Sequence, residues 1–232
     1  MIVVVALAAY LLGALPMGYI FLWLLKRQNI TLIGSGRTGG TNAMRAGGVW
    51  IGALTAVFDL LKGYGGVMIA RWLMPESLWA SVLAGLLVVL GHNWSIWLYL
   101  FSKKFSAGAG TGPNIGAAMA FWIWIGAIVI PDVLFFVFVV GYASLASLST
   151  ALLVVLVFTI RAIYGAPWEY IVYGVMTSAL VAWALRPNIR RLLDGTERKV
   201  GFFKDKRLRK STLGGRSSSH NHYSSSSNSS SS

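Results

Sequence analysis

The chain has 232 residues, 56% of them hydrophobic and 12% charged, with a formal net charge of +13. A soluble domain carries about 25% charged residues, so this composition excludes an ordinary soluble domain and places the chain in a bilayer. The basic residues lie between and after apolar runs instead of on one face, which argues against a nucleic-acid partner; the chain has no cysteine, which excludes disulfides, thiolate catalysis and cysteine-bound metal centres.

A bilayer core needs about 20 apolar residues per crossing. Residues 2 to 25 form the first such run, without a basic leader or a small-residue cleavage site, so it is expected to remain as a span and not to be removed as a signal peptide. Further spans are predicted over residues 49 to 73 and 78 to 100. Residues 113 to 185 are almost continuously apolar, interrupted at Pro131-Asp132, at Ser144 to Thr150 and at Arg161 to Pro167. Four shorter spans fit these breaks; two or three long ones are the alternative.

Lys and Arg are enriched in short cytoplasmic loops. Lys26, Arg27, Arg37 and Arg45 follow the first span, Lys103 and Lys104 the third, and a dense set begins at Arg186. One side for all three leaves Arg71 and Arg161 on the other. The fold class expected is therefore an all-α polytopic membrane protein of about seven transmembrane helices, amino terminus outside and carboxyl terminus cytoplasmic. Residues 1 to 209 are read as the membrane domain, and the Ser-rich residues 210 to 232 as a disordered cytoplasmic tail. His220 and His222 in that tail have no third ligand beside them, so no metal is expected there.

The loop after the first span reads Gly34-Ser35-Gly36-Arg37-Thr38-Gly39-Gly40-Thr41-Asn42-Ala43-Met44-Arg45. Glycines let backbone amides approach an anion, while Ser35, Thr41 and Asn42 add neutral donors and Arg37 and Arg45 add charge. A basic loop made only for topology has the same composition. However, Asn42 and Arg45 share a helical face and a span follows at once, so an anion would meet a helix amino terminus. In the second span Asp59 and Lys62 stand three apart; intramembrane charges are functional or mutually paired.

Residues 34 to 45 resemble the first motif of the bacterial acyl-phosphate glycerol-3-phosphate acyltransferases, which reads Gly-Ser-Gly, usually Asn-Pro, then Gly-Ala-Thr-Asn, two variable residues and Arg. Arg37, Thr38 and Gly40 depart from it; Ser35, Thr41, Asn42 and Arg45 match. Asp59-Leu60-Leu61-Lys62-Gly63 is also similar to the family. Gly91-His92-Asn93-Trp94 resembles the start of its second motif, whose Phe-Lys-Gly-Gly-Lys-Gly loop corresponds to Phe105-Ser106-Ala107-Gly108-Ala109-Gly110, so that Ser106 and Ala109 replace two lysines. Lys103 and Lys104 lie just upstream and could return to the donor. Gly141 to Ser147 resembles a later polar break, although serines among small residues also pack membrane helices. Arg186-Pro187-Asn188-Ile189 through Gly195-Thr196-Glu197 resembles the third motif with Leu185 in place of a histidine, Arg186 being the nearest substitute. A positive-inside anchor accounts for the same basic cluster. The resemblance runs from about residue 5 to 204. Trp97 stands where the His-and-Asp motif of soluble-donor acyltransferases would need its acid, which argues against that class.

The resemblance implies transfer of a fatty acyl group from acyl phosphate to glycerol 3-phosphate, giving lysophosphatidic acid for phospholipid biosynthesis, by a multi-pass protein of the bacterial inner membrane with its site toward the cytoplasm. Ser35, Asn42, Arg45 and Asn188 would bind the acceptor, and Lys104, Gly108 and Gly110 the donor phosphate. Thr41, Asp59, Lys62, His92, Ser144 and Glu197 would support them. No covalent nucleophile, cofactor, metal or nucleic acid is expected; the partners are the two substrates and membrane lipids, and the protein is expected to be a monomer. The alternatives are a divergent relative with another acyl donor or no activity, and a non-enzymatic membrane transporter or lipid-binding protein.

Overall fold

The computed structural model describes residues 1–200, all of whose regular elements are helical. The Ser-rich tail, with His220 and His222, lies outside the described residues. Helices α1 (Ile2–Gly13) and α2 (Met17–Lys26) together make the first apolar run. Pro16 divides them, because a proline lacks the N–H and clashes with the preceding turn. After a 3₁₀ turn, Ile30–Leu32, come the short α3 (Gly40–Gly47) and the long α4 (Val49–Leu73). Gly48 joins them at φ +94°, a conformation that favours glycine.

The region expected as one span over 78 to 100 is instead α5 (Leu78–Asn93) and a separate α6 (Ile96–Ser102). The reason lies in Ser95, whose side-chain oxygen accepts from Leu98 N at 2.9 Å and so starts a new helix. The backbone between the two helices is taken up by the following loop, with Ser95 N donating to Phe105 O and Ala107 N to Asn93 O.

The apolar stretch from 113 divides into four helical pieces: α7 (Thr111–Phe121), α8 (Gly126–Phe135) continuing into a π turn at Phe136–Val140, α9 (Ala143–Ile163) and α10 (Glu169–Ala184). Only the last expected break, at 161 to 167, is where it was predicted. Pro131 lies inside α8, and Ser144 to Thr150 form the opening turns of α9 because their hydroxyls find partners within the bundle: Ser147 Oγ donates to Ala143 O, Ser149 Oγ to Asp132 at 2.8 Å. The actual breaks fall at Trp122 and at Gly141, the latter at φ +87°. An amphipathic α11 (Arg186–Leu193) is the last helix among the described residues.

Among the described residues, four segments are long and apolar enough to cross a membrane: Ile2–Lys26, Val49–Leu73, Ile123–Val140 and Ala143–Ile163; α5 and α10 are apolar but shorter. Trp50 and Trp72, both largely exposed, stand near the two ends of α4. Their separation, about 33 Å along a helix, matches a bilayer core with interfacial aromatics at each face. The protein is a multi-pass membrane protein.

Helix α4 is the centre of the bundle, flanked by α7, α5, α3 and α1. It meets α7 backbone to backbone, since a Cβ at Gly63 would collide with the Pro113 carbonyl and one at Gly116 with the Leu60 carbonyl. Such contacts are the usual route to tight packing where lipid removes the hydrophobic drive. The main core cluster lies beside them, with Phe121, Phe158, Tyr170 and Tyr173 packed ring against ring.

Candidate active site

The loop after α2 is shaped by one buried side chain. Asn42, in the first turn of α3, accepts from Ser35 N at 3.0 Å and donates to Ile33 O at 3.0 Å and Arg37 O at 2.8 Å. Gly34 and Gly36 take φ of +58° and +72° to make the turn. Asn42, expected to touch an acceptor phosphate, thus has its amide committed to the loop. Thr41 lies beside it on α3 and does not line the adjoining cavity.

That cavity, about 270 Å³, lies between the loop and the segment that follows α10; Gly34, Ser35, Arg37 and Arg45 form one wall and Pro187, Asn188, Arg191, Glu197 and Arg198 the other. Three residues from distant parts of the sequence that were expected to bind the acceptor, Ser35, Arg45 and Asn188, therefore face one space. The walls are tied across. Arg198 Nη1 donates to Gly34 O at 2.6 Å, and Arg45 Nη2 to Lys199 O at 3.1 Å.

Four guanidinium groups and one carboxylate line the space. Burial lowers the pKa of Arg37, with Arg191 acting in the same direction and Glu197 opposing; burial and then Arg198 lower that of Arg45, again against Glu197. Crowded like charges of this kind favour a bound anion.

Glu197 is the organising group. Its Oε1 accepts from Asn188 Nδ2 at 2.7 Å and from Ser144 Oγ at 3.0 Å, and its Oε2 from Arg191 Nε at 2.9 Å. Ser144 therefore reaches the site through Glu197. With Nδ2 on the carboxylate, Asn188 leaves its Oδ1 buried and, among the described residues, without a partner.

The residues expected to hold a donor phosphate are placed differently. Lys104 does return to the first loop, its ammonium donating to Thr31 O at 2.6 Å beside Gly36, but it does not line the cavity. Lys103 caps α6 at φ +58° and lies over Tyr99. Gly108 packs so closely on His92 that a Cβ would collide with the ring, and Gly110, at φ +86°, begins α7 against Asn93. Ser106 pairs with Trp94 in an isolated antiparallel bridge. The glycine loop is joined to the first loop through Ala107 O, which accepts from Thr38 N at 2.7 Å and Thr38 Oγ1 at 3.2 Å.

Behind that seam Lys62 Nζ meets Asp59 at 2.9 Å, His92 Nδ1 at 2.8 Å and Leu15 O at 2.8 Å, all three side chains being buried. This network ties α4 to α5 and to the end of α1, outside the cavity wall. Arg186, read as a substitute for the missing histidine, turns away: its guanidinium stacks on Trp183 at 3.3 Å. Sequence reasoning placed Arg37 and Arg45 in the anion-binding loop but missed Arg191 and Arg198 as cavity residues. They belong to basic runs that topology already explains, and only the fold separates those facing inward.

A family model for glycerol-3-phosphate acyltransferase matches residues 3–195. A glycerol-3-phosphate acyltransferase of Thermoanaerobacter sp. (strain X514) is 32% identical over 199 residues, 86% of this chain and 96% of the relative. Glycerol-3-phosphate acyltransferase 3 of Dehalococcoides mccartyi is 37% identical over 216 residues, 86% of this chain and 95% of its own. Among solved structures, the glycerol 3-phosphate form of PlsY (YgiH), an integral membrane glycerol 3-phosphate acyltransferase, superposes with a TM-score of 0.75 at 28% identity, covering 86% of this chain and 96% of that one. Its lysophosphatidic acid form gives 0.73 at 28% identity, over 85% and 94%. The chain, an acyltransferase by these relationships and by its motifs, belongs to the glycerol-3-phosphate acyltransferase family.

Proposed function

We propose that the protein transfers a fatty acyl group from acyl phosphate to glycerol 3-phosphate, forming lysophosphatidic acid and inorganic phosphate. The observation that carries this reading is the cavity between the first loop and the segment after α10, with its four arginines. Ser35 and Arg45 suit the acceptor phosphate. Asn188, held by Glu197 through Nδ2, fixes the opposite wall.

Acyl phosphate is an activated mixed anhydride, so the protein has to align the reactants and stabilise developing charge. The acceptor hydroxyl attacks the acyl carbonyl carbon, the bond from that carbon to the phosphate oxygen breaks, and the departing phosphate takes the hydroxyl proton. The glycine loop at 108 to 110 borders the path of the donor, and Lys104 steadies the first loop through Thr31.

We take seven crossings: the four long apolar segments, Ile2–Lys26, α4, the α8 unit and α9, together with the shorter α5, α7 and α10. Hydrogen bonds from Arg37 to Ala184 O, from Thr38 to Ala107 O and from Val200 N to Gly141 O gather four connections at one end. With the basic residues there, that end is cytoplasmic, the amino terminus is outside, and the protein works as a monomer in the bacterial inner membrane.

Purified protein supplied with glycerol 3-phosphate and palmitoyl phosphate is expected to yield lysophosphatidic acid and phosphate. Product from palmitoyl-CoA alone would replace the donor, and no product from either would overturn the reading.

A further inference from the structure

Arg37 differs from the other arginines of the cavity in what its guanidinium reaches. Its Nη2 donates to Ala184 O at 2.8 Å, at the last residue of α10. The neighbouring Thr38 is bonded twice to Ala107 in the glycine loop. Arg37 therefore sits on the seam between that loop and the end of α10, whereas Arg45 and Arg198 are engaged with the segment 198 to 199 and with Gly34 at the other side of the cavity.

Among the described residues, the other cations near the seam are already engaged, Arg191 being paired with Glu197 at 2.9 Å. Ala109 and Leu185 pack together in one apolar cluster with Val181 and Leu148. Ser106 is held in its bridge to Trp94, and the Lys104 ammonium is given to Thr31 O. Arg37 itself has five N–H donors, and among the described residues its guanidinium has one acceptor, Ala184 O, and no ion-paired carboxylate.

Resting on the acyl-transfer reading above, we propose that Arg37 binds the phosphate of the acyl phosphate donor, supplying the charge that Ala109 and Leu185 cannot. The reaction brings two phosphates into one cavity, and they cannot share a subsite: the attacking hydroxyl is separated from its own phosphate by the glycerol carbons, so the second phosphate must lie away from Arg45. The seam joins a guanidinium to an apolar wall, which matches a ligand with one anionic and one hydrocarbon end. As the bond between acyl carbon and phosphate oxygen breaks, negative charge grows on the phosphate, and a planar guanidinium can meet two of its oxygens at once.

The test is steady-state kinetics of the full chain in detergent or vesicles, with each substrate varied against saturating amounts of the other. Loss of a charge-assisted contact in R37A is expected to raise the KM for palmitoyl phosphate about ten- to hundredfold, leaving that for glycerol 3-phosphate unchanged. The double variant R37A/A109K, which returns a cation to the seam, is expected to recover the donor KM in part. A purely structural Arg37 would give equal changes for both substrates with no rescue, and that result overturns the inference. Should R37A fail to fold, R37Q carries the same test, since glutamine can still donate to Ala184 O but loses the charge: a raised donor KM supports the inference, an unchanged one sinks it. Failure of the acyl-transfer reading shows separately, as absence of product from the unmodified protein.

Discussion

Replacing Glu197 by alanine should disable the acceptor site without touching the substrate directly. The carboxylate receives hydrogen bonds from Asn188 and Ser144 and an ion pair from Arg191. Hydrogen bonds to a charged group contribute about 1.5–3 kcal/mol each. The Arg191 side chain is 39% exposed, so solvent screening holds its share to about 0–1 kcal/mol. The loss of local stability should therefore reach about 3 kcal/mol or more, falling on the contact between α9, α11 and the segment at 197. Asn188 would no longer be oriented, and misplacement of a positioning group by about 1 Å can cost about 100-fold in rate. Kinetics at saturating palmitoyl phosphate should show kcat/KM for glycerol 3-phosphate down by that order. Glu197→Gln, which keeps an oxygen for Asn188, should lose less. An alanine variant with unchanged kcat/KM for glycerol 3-phosphate would refute the role of Glu197 as organiser.

Asn42→Ala removes three loop hydrogen bonds, about 1 kcal/mol each. It should weaken glycerol 3-phosphate binding through loop shape, seen as a raised acceptor KM and faster proteolysis between residues 33 and 39. Asp59→Ala strands a buried lysine charge, a change that costs about 3–5 kcal/mol when one partner is removed. It should abolish folded protein on size exclusion, while the double change Asp59→Leu with Lys62→Met should restore it. The chain has no cysteine, so single cysteines report topology cleanly: those at Lys103 and Asp194 should react only from the cytoplasmic side, and one at Gly165 only from outside. Labelling of positions 165 and 194 from the same side would contradict seven crossings.

Much of this fold was legible because a bilayer imposes simple rules. Apolar length marked α4 and the first span, and the Gly165 and Pro167 region marked the turn after α9. What the sequence hid were interruptions made by tertiary partners. Ser95 ended a span that hydropathy alone would extend to residue 100, and the serines of α9 stayed helical because Asp132, Thr111 and Glu197 receive or supply their hydrogen bonds. Resemblance to the family motifs pointed to Ser35, Arg45 and Asn188, which line one cavity. It could not distinguish a ligand-facing amide from a loop-shaping one, as at Asn42, nor an inward arginine from an interfacial one, as at Arg37 and Arg186. Those differences arise from which backbone carbonyls lie nearby, and carbonyls carry no sequence signal.

Equilibrium binding of labelled glycerol 3-phosphate to purified protein, without donor, tests the acceptor cavity most directly. Saturable binding should be competed by inorganic phosphate and not by glycerol, and it should weaken about tenfold or more in the Arg45→Ala variant, as loss of a charge-assisted contact requires. Undiminished binding by that variant, or competition by glycerol alone, would contradict the assignment of this cavity to glycerol 3-phosphate.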